Sequence, residues 1–478
     1  MISKMTEKAT LLTVYKLLPQ TNCGECGELN CMTFASNLLE RKMTVKDCPP
    51  LVKDSKYKAQ AAKLAELIAP PVREITLGIG ERAVKIGGKQ VMYRHDLTYH
   101  NPTAIAIDVS DKLGDAEIVD RVNQAEKFQF THIGESLRLD AIAVRAASGD
   151  AQRFSEAVAL VAKTTPLPLI LCSLDPAALR LALEQKGVYE RKPLLYAVTK
   201  DNWKDAGALA KQYSCPIVAF SPGDLSVLKA LAKTLRAMGN DEIVLDLGFW
   251  TRGGLLKSSI ENLEMLRRSA IQKEDKDLAY PIMAVPAVAW IGESPDQKAT
   301  AYRESYMASL LLTRFADIVI MHSLDVWALL PVLTLRQGVY TDPRRPVAVE
   351  PGLKAVGSPN ETSPVLLTSN FALTYYTVAN DLEAMGVRCH LLVLNTEGLA
   401  VEASVAGGQF NAAGVRELVT SSNVETKAKH RKLVIPGLAA RLSGEIEELT
   451  KWEVMVGPKD SSQIKEYLNK FWNASKTQ

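Results

Sequence analysis

Eight short apolar runs, each followed by an amphipathic helical stretch, fill the middle of this chain and leave few folds open to it. They start at Ala104 (AIAIDVS), Ala141 (AIAVRAA), Leu167 (LPLILCS), Pro193 (PLLYAVT), Cys215 (CPIVAF), Glu242 (EIVLDLG), Tyr280 (YPIMAVP) and Ala316 (ADIVIMH). A strand with one wet face alternates apolar and polar residues. An unbroken apolar run is what a parallel strand covered on both faces requires. Eight strand–helix units in about 240 residues predict a closed (β/α)8 barrel, with an open doubly wound sheet as the alternative. Chemistry-bearing side chains then belong at the carboxyl ends of the strands, which singles out Asp108, Arg145 and Asp246. The two aspartates read equally well as strand-end caps.

At 478 residues the chain exceeds one ordinary core. A proline- and glycine-rich crossing, GVYTDPRRPVAVEPGLKAVGSP, closes the barrel region. Beyond it, strands are predicted from Ser363, Arg388, Arg431 and Trp452, with helices starting near Phe371, Val401, Asn411, Ala439 and Ser461. Four or five strands with crossovers make a small doubly wound, Rossmann-like sheet that binds ligands outside its strand carboxyl ends. The informative positions there are Thr368-Ser369-Asn370, Asn395 to Leu399, Pro436-Gly437 and Gly457-Pro458. The expected division is a cysteine module at 1–57, a linker and β-rich lead-in at 58–90, the barrel at 91–338 and the terminal α/β domain at 339–478. The charged stretch ahead of Pro70-Pro71 reads as a mobile connector or as an ordinary surface helix packed on its neighbour.

The first module carries Cys23, Cys26, Cys31 and Cys48 in the pattern C-x2-C-x4-C-x16-C. Four closely spaced thiolates are what an iron–sulfur cluster needs, and a cube-shaped cluster passes one electron at a time. Structural zinc also takes four thiolates, but zinc ribbons usually pair two C-x2-C knuckles, and only Cys23 and Cys26 form one. Gly24 and Gly27 let backbone amides turn toward the sulfurs, and Cys48-Pro49-Pro50 resembles the Cys-Pro that closes ferredoxin sites. The spacing favours [4Fe–4S] over zinc; a disulfide framework suits short secreted chains. Cys172, Cys215 and Cys389 lie inside apolar runs and read as small buried hydrophobes.

Composition removes several classes. Fifty-seven basic against fifty-four acidic side chains leave a formal +3, too even for nucleic acid. No apolar run is long enough to span a bilayer, and the amino terminus lacks the pattern of a secretory signal. Thiolate ligands need a reducing compartment, so a cytoplasmic location without a membrane partner is expected. Gly78-x-Gly80 lacks the third glycine and the acidic partner of a dinucleotide site.

Taken in order, LPQTNCGECGELNCMTFA, IGERAVKIGG, YRHDLTYHN, PLLYAVTKDNW, YPIMAVP, GVYTDP, LTSNFALTYYTV, NTEGLAVEA, RKLVIPG and WEVMVGPKDS cover nearly the whole chain. This series resembles the large (gamma) subunit family of the corrinoid/iron–sulfur proteins of the reductive acetyl-CoA pathway. The resemblance implies a [4Fe–4S] cluster on Cys23, Cys26, Cys31 and Cys48 and a cobalt corrinoid in the terminal domain. Corrinoid contacts would fall on Thr368 and Thr374, on Gly398, Leu399, Ala400 and Val401, and on Ser461 and Ser462. It implies a methyl carrier, a component of a methyltransferase system. Such a carrier, as Co(I), takes a methyl group from a methyltetrahydropterin by way of a methyltransferase and passes it to acetyl-CoA synthase/CO dehydrogenase. A smaller subunit would complete a heterodimer, and the cluster would rescue cobalt that has oxidised to Co(II).

Two other readings compete: a pterin-dependent methyltransferase that uses the barrel, and an iron–sulfur electron-transfer subunit without corrinoid. Many cobalamin modules place a histidine under cobalt from an Asp-x-His-x-x-Gly loop. None occurs here, and the terminal domain's histidines, His390 and His430, read as structural or solvent-facing.

Overall fold

The eight apolar runs become eight parallel strands of one sheet: Ala104–Ser110 (β1), Ala141–Arg145 (β2), Leu169–Cys172 (β3), Leu194–Val198 (β4), Ile217–Phe220 (β5), Ile243–Asp246 (β6), Met283–Ala284 (β7) and Ile318–Met321 (β8). In the computed structural model, which describes residues 9–250, 255–292 and 296–472, their order is β6-β5-β4-β3-β2-β1-β8-β7. A parallel bridge between Leu245 of β6 and Ile282, just ahead of β7, closes the ring. The barrel is therefore the closed form, and the open-sheet alternative falls away. Its helices are Asp115–Lys127, Ala151–Thr164, Pro176–Leu183, Trp203–Tyr213, Leu225–Ala237, Leu255–Ile271, Gln297–Thr313 and Val326–Tyr340.

The helix Leu225–Ala237 shows why these segments form. Asp224 caps it by accepting from the N–H groups of Ser226 and Val227, and Leu228, Leu231, Ala232 and Leu235 bury one face at helical spacing. Inside the barrel, Ala104, Ala106, Ala141, Ala143, Ile170 and Val244 share one core with Ile75, Leu77 and Ile86. The last three come from an antiparallel hairpin, Glu74–Leu77 with Val84–Gly87. This hairpin covers the amino-terminal end of the barrel and keeps its apolar interior dry.

The chain divides into two compact units, Met1–Phe128 with Leu139–Tyr340, and Gln129–Arg138 with Thr341–Gln478. In the first unit, the cysteine module contains α1 (Leu11–Lys16), α2 (Cys31–Leu39), α3 (Pro49–Lys53) and α4 (Lys58–Ile68). Leu64 of α4 is fully buried in one core with Val14, Phe34, Leu38 and Leu51. The stretch read as a connector thus begins with a helix that completes the module, the second of the two readings. Its apolar residues Ala61, Leu64, Leu67 and Ile68 recur at helical spacing and need a partner surface.

The second unit holds a five-stranded sheet, Gly352–Val356 (β9), Val365–Ser369 (β10), Cys389–Leu394 (β11), Lys432–Ile435 (β12) and Glu453–Val456 (β13), in the order β9-β11-β10-β12-β13. Strands β10 to β13 are parallel, and β9 pairs antiparallel with β11 at one edge. Against β10 pack α5 (Ala372–Ala384), which follows it in the chain, and α6 (Val401–Gly407), which follows β11. One piece comes from far away in sequence: the hairpin Gln129–His132 with Glu135–Arg138 groups with this unit. Gly134 at its tip has φ +73° and lies so close to the Tyr376 ring that a Cβ there would overlap the phenol.

Candidate functional site

The four cysteines of the first module converge on one pocket, together with Asn22, Glu28, Pro49 and Pro50. Local sequence explains the convergence. Gln20, Asn22, Gly24 and Gly27 all have positive φ, so the chain coils tightly around the Cys23–Cys26 knuckle. Asn22 Oδ1 accepts from the Cys31 N–H at 2.9 Å. Asn30 caps α2, which places Cys31 in that helix's first turn. Cys48 precedes α3, whose first helical position is Pro49. Cys23 is exposed, Cys26 and Cys31 are half-buried, and Cys48 is buried.

Burial pushes the Cys48 thiol above its ordinary value; the Leu51 N–H opposes this, and the charges of the other three thiols add to the rise. Four thiolates at close quarters repel one another and need a cationic centre between them. Among the described residues no three His, Cys, Asp or Glu side chains lie within reach of a single metal ion. The other cysteines differ: burial pushes Cys172, Cys215 and Cys389 up to about 12, which keeps them protonated and inert at neutral pH.

In the second unit an open cleft of about 350 Å³ lies above the carboxyl ends of β10, β12 and β13. Strand order reverses at β10, with β11 on one side and β12 on the other, so the cleft lies at the switch point where open α/β sheets bind ligands. Its floor and walls are largely apolar, from Leu366, Leu373, Val378, Val434, Pro436 and Leu438. Thr368, Thr374, Thr377, Glu402 and Lys459 add polar groups. The Thr368 side chain is 2% exposed, and its hydroxyl has no hydrogen-bond partner. Such an orphan costs free energy unless a ligand meets it. At the strand ends, a Cβ on Gly437 would stand 2.7 Å from the Gly457 carbonyl oxygen, so these two backbones pack directly together beneath the cleft.

Of the residues the sequence pointed to, Thr368, Thr374, Ala400, Val401 and Ser461 line this cleft. Gly398, Leu399 and Ser462 are not among its lining residues. The Gly398 N–H is spent on Asn370, that of Leu399 on the Thr396 carbonyl, and Ser462 binds Asp460 through both its N–H and its hydroxyl. Ser461 lines the cleft while its hydroxyl donates to Asp381 of α5. Sequence reasoning missed the apolar floor, because Leu366 and Val434 look like any buried strand residues; their place within three positions of a strand end was the available signal. His390 and His430 are structural, with Nε2 atoms at the carbonyls of Asn360 and Ser363.

At the carboxyl end of the barrel the expected polar residues satisfy one another. Asp108 meets Arg121 Nη2 and Arg145 Nε, both at 3.2 Å, and His322 Nδ1 at 2.6 Å. Burial opposes its ionisation, yet the His322 hydrogen bond and the charges of the imidazole and the two guanidiniums hold it below the ordinary carboxylate value. Asp246 accepts from the Gly248 N–H at 2.7 Å and the Tyr196 hydroxyl at 3.1 Å. Both carboxylates are engaged by the chain's own donors, as caps are. Among the described residues no helix is long and apolar enough to cross a membrane.

A family described as "CO dehydrogenase/acetyl-CoA synthase delta subunit" matches residues 74–468, and one described as "Putative Fe-S cluster" matches residues 18–50. The chain is 46% identical over 463 residues to the acetyl-CoA decarbonylase/synthase complex subunit gamma of Methanothermobacter thermautotrophicus, covering 97% of this chain and 99% of that one. It is 47% identical over 465 residues to the subunit of the same description from Archaeoglobus fulgidus, covering 96% and 98%. Among solved structures, a dihydropteroate synthase from Xanthomonas albilineans in complex with 7,8-dihydropteroate aligns with 51% of this chain and 95% of its own, at 16% identity and a TM-score of 0.38.

Proposed function

This chain belongs to the CO dehydrogenase/acetyl-CoA synthase delta subunit family, as a gamma-type subunit of an acetyl-CoA decarbonylase/synthase complex, and on that premise we propose that it is the complex's methyl carrier. In this reading a corrinoid sits in the terminal cleft and a [4Fe–4S] cluster in the thiol pocket. When bound, the corrinoid supplies a cobalt that takes up and releases a methyl group, and the cluster supplies single electrons that restore it after oxidation. The methyl group comes from a methyltetrahydropterin through a methyltransferase and goes to acetyl-CoA synthase. A smaller companion subunit covers the exposed side of the cofactor.

The observation that carries this reading is the cleft at the switch point of the second sheet, with its broad apolar floor and its buried Thr368 hydroxyl lacking a partner. A flat macrocycle fringed with amides needs that combination: apolar area for the ring and a few hydroxyls for the fringe. Leu366, Val434 and Pro436 exclude water from the seat, while Thr368, Thr374 and Thr377 orient what lies on it. Neither His390 nor His430 lines the cleft, so neither imidazole reaches a metal seated there. In the other unit, Cys23, Cys26, Cys31 and Cys48 hold the cluster, and the exposed Cys23 side gives electrons a way in.

The test is a metal count. Full-length protein, purified without oxygen after coexpression with its companion subunit and supplied with cobalamin, should hold about four iron and one cobalt per chain. Iron without cobalt overturns the carrier reading in favour of a plain electron-transfer subunit. Zinc in place of iron overturns the cluster.

A further inference from the structure

The Asn370 side chain stands at the carboxyl end of β10, 3% exposed, yet is not among the residues lining the cleft. Its Oδ1 lies 2.9 Å from the Thr396 N–H, 2.9 Å from the Thr396 hydroxyl and 3.0 Å from the Gly398 N–H. Its Nδ2 reaches Asn395 Oδ1 at 3.4 Å, and its backbone carbonyl accepts from the Val349 N–H at 2.8 Å. The side-chain amide thus gathers the turn that follows β11, and the backbone carbonyl of the same residue holds the segment entering the domain. That turn runs directly into Ala400, Val401 and Glu402, which form one wall of the cleft. Gly398 has φ +77° and a Cβ there would stand 2.9 Å from the Pro346 side chain, so the turn has little room to find a second arrangement.

We propose that Asn370 is the positioning residue of the cleft: its side-chain carbonyl, without touching the ligand, fixes the turn 395–399 and so keeps Ala400 and Val401 in place as the cleft wall. The inference rests on the reading of the cleft as a corrinoid seat. A buried acceptor serving two backbone N–H groups is costly to delete, because both are left in a site that water enters poorly, whereas the Thr396 hydroxyl also has the Leu399 carbonyl at 2.8 Å. Aspartate at this position keeps an oxygen toward the same donors, provided it is ionised, whereas alanine keeps none.

Two measurements on the full chain test this, each on wild type, Asn370→Ala and Asn370→Asp. The first is amide exchange of the cofactor-free protein. Asn370→Ala should speed exchange at Thr396 and Gly398 by about tenfold or more while the amides of β10 and β12 keep their protection. The second is titration with cobalamin, read by the absorption bands of the bound corrinoid. Asn370→Ala should bind at least about tenfold more weakly. Asn370→Asp should restore binding near neutral pH and lose it on acidification, a pH dependence that the wild type lacks. Unchanged exchange at Thr396 and Gly398, or unchanged cobalamin affinity in a folded Asn370→Ala, overturns the proposal. A wild-type chain that takes up no cobalamin at any pH overturns the carrier reading instead, and with it the cofactor half of this one; the exchange measurement still decides the first half.

Discussion

Thr368 and Asp246 occupy equivalent places, each at the carboxyl end of a parallel strand, and they differ in whether the chain itself satisfies their polar atoms. Thr368 has a buried hydroxyl without a partner. Thr368→Val keeps the shape and removes the orphan. The cofactor-free protein should therefore be as stable as wild type or about 1 kcal/mol more so, while cobalamin affinity falls several-fold; equal affinity in both proteins would show that the hydroxyl meets nothing. Asp246 is the opposite case, with both oxygens engaged, and burial raises its carboxyl from 3.8 to about 6 in spite of hydrogen bonds from Gly248 and Tyr196. The folded state then binds the proton more tightly than the unfolded chain does. Stability contributed by the neutral form is full below about pH 4 and is lost as pH rises through 6, a difference of about 3 kcal/mol. Asp246→Asn should flatten this dependence and raise the melting temperature at pH 7. A variant that melts lower at pH 7 would mean that the charge is needed there.

At the scale of elements, α4 makes the sharpest forecast. Leu64 is fully buried in the core that holds the thiol pocket together, so Leu64→Ala should loosen that module by about 2–4 kcal/mol. Iron should be lost from the protein on mild heating while the barrel's far-ultraviolet dichroism stays intact; simultaneous loss of both would show that the module and the barrel melt as one. Elements of this kind divide the legible from the illegible. All eight barrel strands could be read because an unbroken apolar run of about five residues has few other uses, and the convergence of the four cysteines could be read because their spacing is local. The role of α4 was left open, because a charged amphipathic helix looks the same whether its apolar stripe faces a partner or not. The hairpin at 129–138 was missed, because QFTH and ESLR are short and polar and nothing local says that they leave one unit for another. Gly398, Leu399 and Ser462 sit in segments whose neighbours line the cleft, and only the folded structure shows that their own donors are spent on Asn370, Thr396 and Asp460.

For the molecule as a whole, two compact units with separate cores imply separate responses to ligand. Calorimetry of the full chain should show more than one transition, and cobalamin should raise only the one that belongs to the five-stranded unit. At a free concentration one hundredfold above the dissociation constant the shift corresponds to about 2.7 kcal/mol. Equal displacement of every transition would mean that the units unfold together. The units also differ in how far apart in sequence their defining contacts lie. All four cluster thiols lie within twenty-six consecutive residues, and α4, which finishes their surroundings, ends at Ile68. The barrel ring, by contrast, does not shut until Ile318 of β8 has joined Ala104. During synthesis, then, every thiol of that pocket and the helix that buries it have left the ribosome while most of the message is still untranslated. On the carrier reading proposed above, the order of synthesis sets no requirement that metal loading wait for the barrel.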